Sequence, residues 1–248
     1  RMASDLFFLV TGSAFVPHDL AWIRSHLPAD ESVSAEDVTE RYACIGLWGP
    51  RAREILRRAT ADDVSNERFP YLTARTITVG GIVVRALRVT YVGELGWELY
   101  GPMADGLALW DRLWEAGQGQ GLMAAGYRAI DSLRLEKGYR YWSAELTPEY
   151  TPYEAGLGFC VKLDKGDFIG RGALIAQRER GLDRRLACLT LDDPFAVAPG
   201  GEPILHEGKT VGRVTSGGYG YTVGASIAYG YVPAALAAAG TPLAVEVF

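Results

Sequence analysis

The segment Tyr91-Val92-Gly93-Glu94-Leu95-Gly96-Trp97-Glu98 sets one carboxylate between two glycines in an otherwise β-like run. Gly93 lets the backbone turn, or lets a ligand come close. Glu94 is flanked by the aromatic residues Tyr91 and Trp97. A carboxylate has two acceptor oxygens and takes a pair of parallel N–H donors, which the edge of a pterin or a guanine offers. The plainer alternative is a solvated turn glutamate. A second segment runs Arg128-Ala129-Ile130-Asp131-Ser132-Leu133-Arg134. Spacing by three puts Arg128 with Asp131, and Asp131 with Arg134, on one helix face. That gives either a structural ion-pair ladder or an arginine that reaches a ligand. Arg128 falls in the first turn, where the positive helix end also favours an anionic group. A third segment, 142–158, is a long loop stiffened by Pro148 and Pro152. Tyr139, Tyr141, Trp142, Tyr150 and Tyr153 in and beside it either wall a flat ligand or simply pack.

Other chemistries lack their residues. His18, His26 and His206 form no H-x-x-H pair and have no cysteine nearby, so no metal site is predicted. There is no P-loop and no G-x-S-x-G elbow. Gly156-Leu157-Gly158 and Gly218-Tyr219-Gly220 lack the third glycine of a dinucleotide fingerprint, so the chain offers no place of its own for FAD or NAD.

The elements that must hold these residues follow from periodicity. Residues 6–10 read as a short buried strand, 18–27 as a helix and 42–48 as a strand. Gly49-Pro50 opens a helix with proline first, in which Ala52, Ile55, Leu56 and Ala59 face a core. Strands over 74–79 and 82–91 flank Gly80-Gly81, a hairpin signal, and 97–100 adds a third strand. A helix follows with the apolar stripe Leu107, Trp110, Leu113 and Trp114. The next spans 124–137 and closes at Gly138. After an irregular stretch and a short helix over 172–180, composition shifts near Leu182. Strands over 186–191, 204–206, 211–215, 226–232 and 243–248 then predict a small antiparallel barrel or sandwich. The class is α+β, with domains over 1–181 and 182–248.

The chain has 248 residues, 48% hydrophobic and 22% charged, a globular composition. A net charge of -5 disfavours a nucleic-acid partner. Three scattered cysteines do not make a disulfide framework and suit a reducing compartment. No run of ~18 apolar residues exists to span a membrane, and no signal peptide opens the chain.

Set in order, the motifs resemble the folate-binding aminomethyltransferases, the family of the glycine cleavage T-protein. They are Trp48-Gly49-Pro50, Tyr91-Val92-Gly93-Glu94-x-Gly96-x-Glu98, Arg128-Ala-x-Asp131-Ser-Leu-Arg-Leu-Glu136, Thr151-Pro152-x-Glu154-Ala-Gly-Leu157, Phe168-Ile-Gly-Arg171, Val211-Gly-x-Val214-Thr215-Ser216-Gly217 and Gly230-Tyr231-Val232-Pro233. Glu136-Lys137-Gly138 and the run 161–168 look closer to the folate domain of dimethylglycine and sarcosine dehydrogenases.

The resemblance implies a three-lobed fold, here incomplete, ending in an antiparallel β-barrel. It implies a tetrahydrofolate site in which Glu94 holds the pterin edge, Arg128 and Tyr91 contact the folate, and Asp5 assists at the one-carbon unit. The implied reaction is one-carbon transfer that yields 5,10-methylenetetrahydrofolate. It follows oxidation of a small N-methylated amine by FAD on an upstream flavin domain or subunit that this chain does not contain. The cytoplasm, or the mitochondrial matrix in a eukaryote, is the implied compartment. Two other readings stay open: a glycine cleavage T-protein proper, and a folate-binding or assembly fragment without turnover. The family also places a longer hairpin between the aspartate matching Asp5 and the strand matching 7–10. With Arg1 standing before Met2, this makes the chain read as a fragment.

Overall fold

A computed structural model describes residues 1–247 in two compact units. The first comprises residues 1–90 and 94–123, the second residues 91–93 and 124–247.

In the first unit, helix α1 (Val16–Ser25) is followed by β1 (Tyr42–Trp48), α2 (Ala52–Ala59), β2 (Ala74–Val79), β3 (Ile82–Leu87), β4 (Gly96–Pro102) and α3 (Gly106–Gly117). The four strands form one antiparallel sheet in the order β1-β4-β3-β2. Gly80 and Gly81 adopt φ of +56° and +87°, the left-handed pair a two-residue hairpin turn requires. Val79 and Ile82 are therefore paired at the hairpin end. The core joins Leu47, Ile55, Leu56, Val64, Phe69, Ile77, Trp97, Leu99, Leu109 and Leu113. Helix α2 buries the expected Ala52, Ile55 and Leu56.

Four local expectations are corrected here. Residues 6–10 form no strand. Leu6, Phe7, Leu9 and Val10 are exposed, and Phe8 alone docks, edge-on against Tyr42 and Tyr100 with Arg85 over its ring at 4.4 Å. Helix α2 starts at Ala52 rather than Pro50, because Gly49 at φ +136° makes a turn in which the Ala52 amide donates to the Gly49 carbonyl. Strand β3 stops at Leu87: the Val89 amide folds back onto the Leu87 carbonyl, and Arg88 pairs with Thr73 instead. In α3 the buried side chains are Leu109 and Leu113. Leu107, Trp110 and Trp114 are exposed, the two indoles stacked at 6.1 Å.

In the second unit, α4 (Tyr127–Lys137) ends at Gly138, whose φ of +83° makes the expected left-handed cap; the Tyr139 amide reaches back to the Arg134 carbonyl. Helix α5 (Arg171–Arg180) leads to β5 (Arg184–Leu191), β6 (Pro203–His206), β7 (Lys209–Gly220), β8 (Ala225–Pro233) and β9 (Ala244–Val245). These form one antiparallel sheet, order β5-β8-β7-β6-β9, over a core of Ala198, Ile204, Val214, Ala228 and Val232. The fold is thus α+β with antiparallel sheets. The last expected strand shortens to two residues, and Phe248 lies outside the described residues.

Candidate functional site

Two glycines fix the backbone on either side of Glu94, for different reasons. At Gly93, φ is +78° and a Cβ would meet Cγ of Lys137 at 2.7 Å. At Gly96, a Cβ would meet the Leu47 carbonyl oxygen at 2.3 Å, because β1 and β4 pair closely there. Close packing against protein, not room for a ligand, therefore demands both glycines. What they leave at the bend is Glu94, exposed and without a hydrogen bond or ion pair among the described residues.

The neighbouring carboxylates are occupied. Glu98 accepts the Tyr100 hydroxyl at 2.6 Å. Glu136 accepts the Thr222 amide at 2.6 Å. Tyr91 is also engaged: its hydroxyl donates to the Arg140 carbonyl at 2.7 Å and its ring stacks on Tyr139. Burial, the largest influence, pushes the Tyr91 phenol up to about 12.

Arg128 lies in the first turn of α4, exposed and unpaired among the described residues. The ladder expected along this helix forms only in its second half, where Arg134 reaches Asp131 at 3.5 Å. Asp5 is exposed and touched by the Ser4 hydroxyl at 3.5 Å. Asp5 and Glu94 belong to the first unit, Tyr91 and Arg128 to the second.

The loop aromatics are largely packing. Tyr150 stacks on Tyr231 with ring centres 3.5 Å apart, under the Arg184 guanidinium at 4.6 Å. Arg134 lies 5.4 Å from the Tyr141 ring.

Sequence reasoning missed the charge that organises this loop. Glu145 is fully buried. Its Oε2 accepts the Tyr141 amide at 2.7 Å and Arg134 Nη1 at 3.2 Å. Its Oε1 accepts the hydroxyls of Thr215 at 2.6 Å and Ser216 at 2.5 Å. Adjacent strand residues normally point to opposite faces. Here the β7–β8 register shifts between Val214 and Ser216, and this bulge turns both hydroxyls onto one oxygen. Gly217 follows because its Cβ would meet the Ala198 carbonyl oxygen at 2.3 Å. The signal in the sequence was two adjacent hydroxyls and a glycine breaking the alternation of a strand.

The Thr151-Pro152-Tyr153-Glu154 motif is likewise structural. The Thr151 amide donates to Glu154 Oε2 at 2.8 Å, and the Glu154 amide to the Thr151 hydroxyl at 3.2 Å, a reciprocal capping box. Arg184 at 3.1 Å completes the site. Burial raises the Glu154 carboxyl, but the Thr151 bonds and the Arg184 charge outweigh it, leaving the group below its usual range.

Among the described residues no group of three or more His, Cys, Asp and Glu could hold a metal ion, and no helix is long and apolar enough to cross a membrane. Cys44, Cys160 and Cys188 are free thiols.

Comparison with known proteins agrees with this architecture. Residues 1–165 match the GCVT N-terminal domain, and residues 184–248 the glycine cleavage T-protein C-terminal barrel domain. Mitochondrial dimethylglycine dehydrogenase of Homo sapiens is 41% identical over 242 residues, covering 97% of this chain and 28% of that protein. Mitochondrial sarcosine dehydrogenase of Mus musculus is 43% identical over 230 residues, covering 92% of this chain and 25% of that protein. The chain thus spans about a quarter of the length of these relatives. The crystal structure of the glycine cleavage system aminomethyltransferase T from Bartonella henselae superposes with a TM-score of 0.62 at 21% identity, over 85% of this chain and 81% of that one, which shows a common fold. With matched domains over most of its length, the chain belongs to the glycine cleavage T-protein family.

Proposed function

We propose that the chain is the tetrahydrofolate-dependent one-carbon transfer module of an FAD-dependent dimethylglycine or sarcosine dehydrogenase, and that it serves formation of 5,10-methylenetetrahydrofolate. The observation that carries this reading is the setting of Glu94: an exposed carboxylate with both oxygens open among the described residues, held at a bend between the closely packed Gly93 and Gly96, while Glu98, Glu136 and Glu154 of the neighbouring motifs bond to the protein's own donors. Such a carboxylate suits the paired N–H donors of a pterin edge.

Arg128, charged and unpaired in the first turn of α4, would contact the folate. Tyr91 would offer its ring only, since its hydroxyl is already bonded to Arg140. Asp5 would help move a proton at the one-carbon unit. When bound, the folate supplies the nitrogen that takes up the one-carbon group. The chain's own part is to hold the reactants in register and keep water from the electrophile. FAD belongs to the oxidising half of the reaction, for which no residue of this chain is proposed. The high identity to the two dehydrogenases supports this assignment within the family.

The test is calorimetric binding of tetrahydrofolate to the chain and to its Glu94→Gln variant, with Glu115→Gln as an exposed control. Loss of a charge-assisted donor pair is expected to weaken binding by about 10–100-fold, with the control unchanged. Equal affinity in Glu94→Gln and wild type overturns the assignment.

A further inference from the structure

In the first unit, two arginines converge on one neutral oxygen. Arg53 Nη2, from α2, donates to Asn66 Oδ1 at 2.6 Å, and Arg88 Nη2, just after β3, donates to the same atom at 2.7 Å. Neither guanidinium has a carboxylate partner among the described residues. Both guanidiniums also lie 5.8 Å from the ring centre of Trp97, which is fully buried.

Besides the Asn66 oxygen, the acceptor in the cluster is the Phe69 carbonyl, which takes Arg88 Nη1 at 2.5 Å; three donors remain over. Arg53 Nε, Arg88 Nε and Trp97 Nε1 are all buried without a hydrogen-bond partner. Two like charges meeting on an amide oxygen, beside unpaired donors, are costly in the absence of an anion. The Arg88 guanidinium accordingly lies below its ordinary range, through burial first and the Arg53 charge second. Asn66 itself is exposed, so the point of convergence is open to solvent.

We propose that Arg53, Arg88 and Asn66 form a binding site for an oxyanion, a carboxylate or phosphate group whose oxygens take the place of the Asn66 amide oxygen between the two guanidiniums. A planar guanidinium fork matches both groups. The site is independent of the folate reading, since none of its residues is assigned to folate.

The test is the thermal midpoint of the full chain titrated with inorganic phosphate, and separately with malonate, at constant ionic strength. Wild type is expected to show a saturable rise of roughly 5 °C when the anion stands well above its dissociation constant. The response to malonate against phosphate separates a carboxylate source from a phosphate source. Arg53→Gln is expected to lose the saturable response. Because that variant could fail to fold, Asn66→Asp provides the second arm. It sets a carboxylate at the point of convergence, so the protein should melt higher in buffer alone and no longer respond to added anion. Absence of a saturable rise in wild type with either anion overturns the site. So does a response that survives Asn66→Asp, or a lower melting point for that variant.

Discussion

Glu145 and Arg134 face each other at 3.2 Å with 0% and 4% of their side chains exposed, joining a loop to a helix inside the second unit. Every lone-pair direction of the carboxylate is used: Tyr141 and Arg134 on one oxygen, Thr215 and Ser216 on the other. The Ser216 hydroxyl also accepts from Arg134 at 3.1 Å, so helix, loop and strand share one closed network. Removing the Glu145 charge leaves the buried Arg134 only its longer, 3.5 Å contact with the part-exposed Asp131. Glu145→Gln is therefore expected to cost about 3–5 kcal/mol in denaturant unfolding. Glu98→Gln, whose amide oxygen can still accept the Tyr100 hydroxyl, should cost no more than about 1 kcal/mol.

Glu154 makes acid stability depend on pH in a definite direction. Its folded carboxyl is held below the usual range, so the unfolded chain takes up this proton first as pH falls. The contribution is complete above the ordinary glutamate value of about 4.3 and is lost as pH drops through the lower folded value. Urea midpoints measured from pH 7 downward should fall less steeply below that point for Glu154→Gln than for wild type. An unchanged slope would count against this role.

At the alkaline end the tyrosines act in the opposite sense. Burial raises Tyr91 to about 12, and it also raises Tyr100, Tyr229 and Tyr231. A raised phenol favours the folded state below the unfolded value of about 10. That stability is lost as pH rises toward the folded values. Ultraviolet titration of phenolate should show late-ionising groups, one fewer of them in Tyr91→Phe. The variant should also lose about 1 kcal/mol at neutral pH with the bond to the Arg140 carbonyl.

The two glycines around Glu94 should respond unequally to alanine. At Gly96 the added carbon meets a backbone oxygen at 2.3 Å inside a strand pair, which cannot move away cheaply. At Gly93 it meets the Lys137 side chain and also pays for φ of +78°. Gly96→Ala is expected to destabilise by about 3 kcal/mol or more, and Gly93→Ala by about 1–2 kcal/mol. Thermal unfolding of the two variants decides the order.

Much of the fold was legible where a local rule decides the structure. The strand at 42–48, the Gly80-Gly81 turn and the Gly138 cap need only neighbouring residues, and all three stand where periodicity and turn chemistry put them. Failures came where packing across elements decides. Helical spacing grouped Leu107, Trp110, Leu113 and Trp114, yet Leu109 is buried instead of the tryptophans, because the sheet selects the face. Residues 6–10 are apolar enough for a strand, but the Phe8 ring docks on Tyr42 and Tyr100 while Phe7, near Arg1, stays exposed. Glu145 was invisible because burial of a carboxylate depends on hydroxyls seventy residues onward, re-aimed by a bulge that no periodicity announces. Glu94 and Arg128 stand out by residue type and setting, and among the described residues both lack an internal partner.

The reciprocal bonds of Thr151 and Glu154 have an implication for reading kindred sequences. A motif whose side chains are wholly spent on holding its own loop marks inheritance of a scaffold and is silent on turnover. A relative that had abandoned chemistry would still need it in order to fold. Diagnosis of a working relative from a dormant one should therefore weigh the proposed folate contacts Glu94 and Arg128, which have no internal partner among the described residues, above the longer and more conspicuous loop motif.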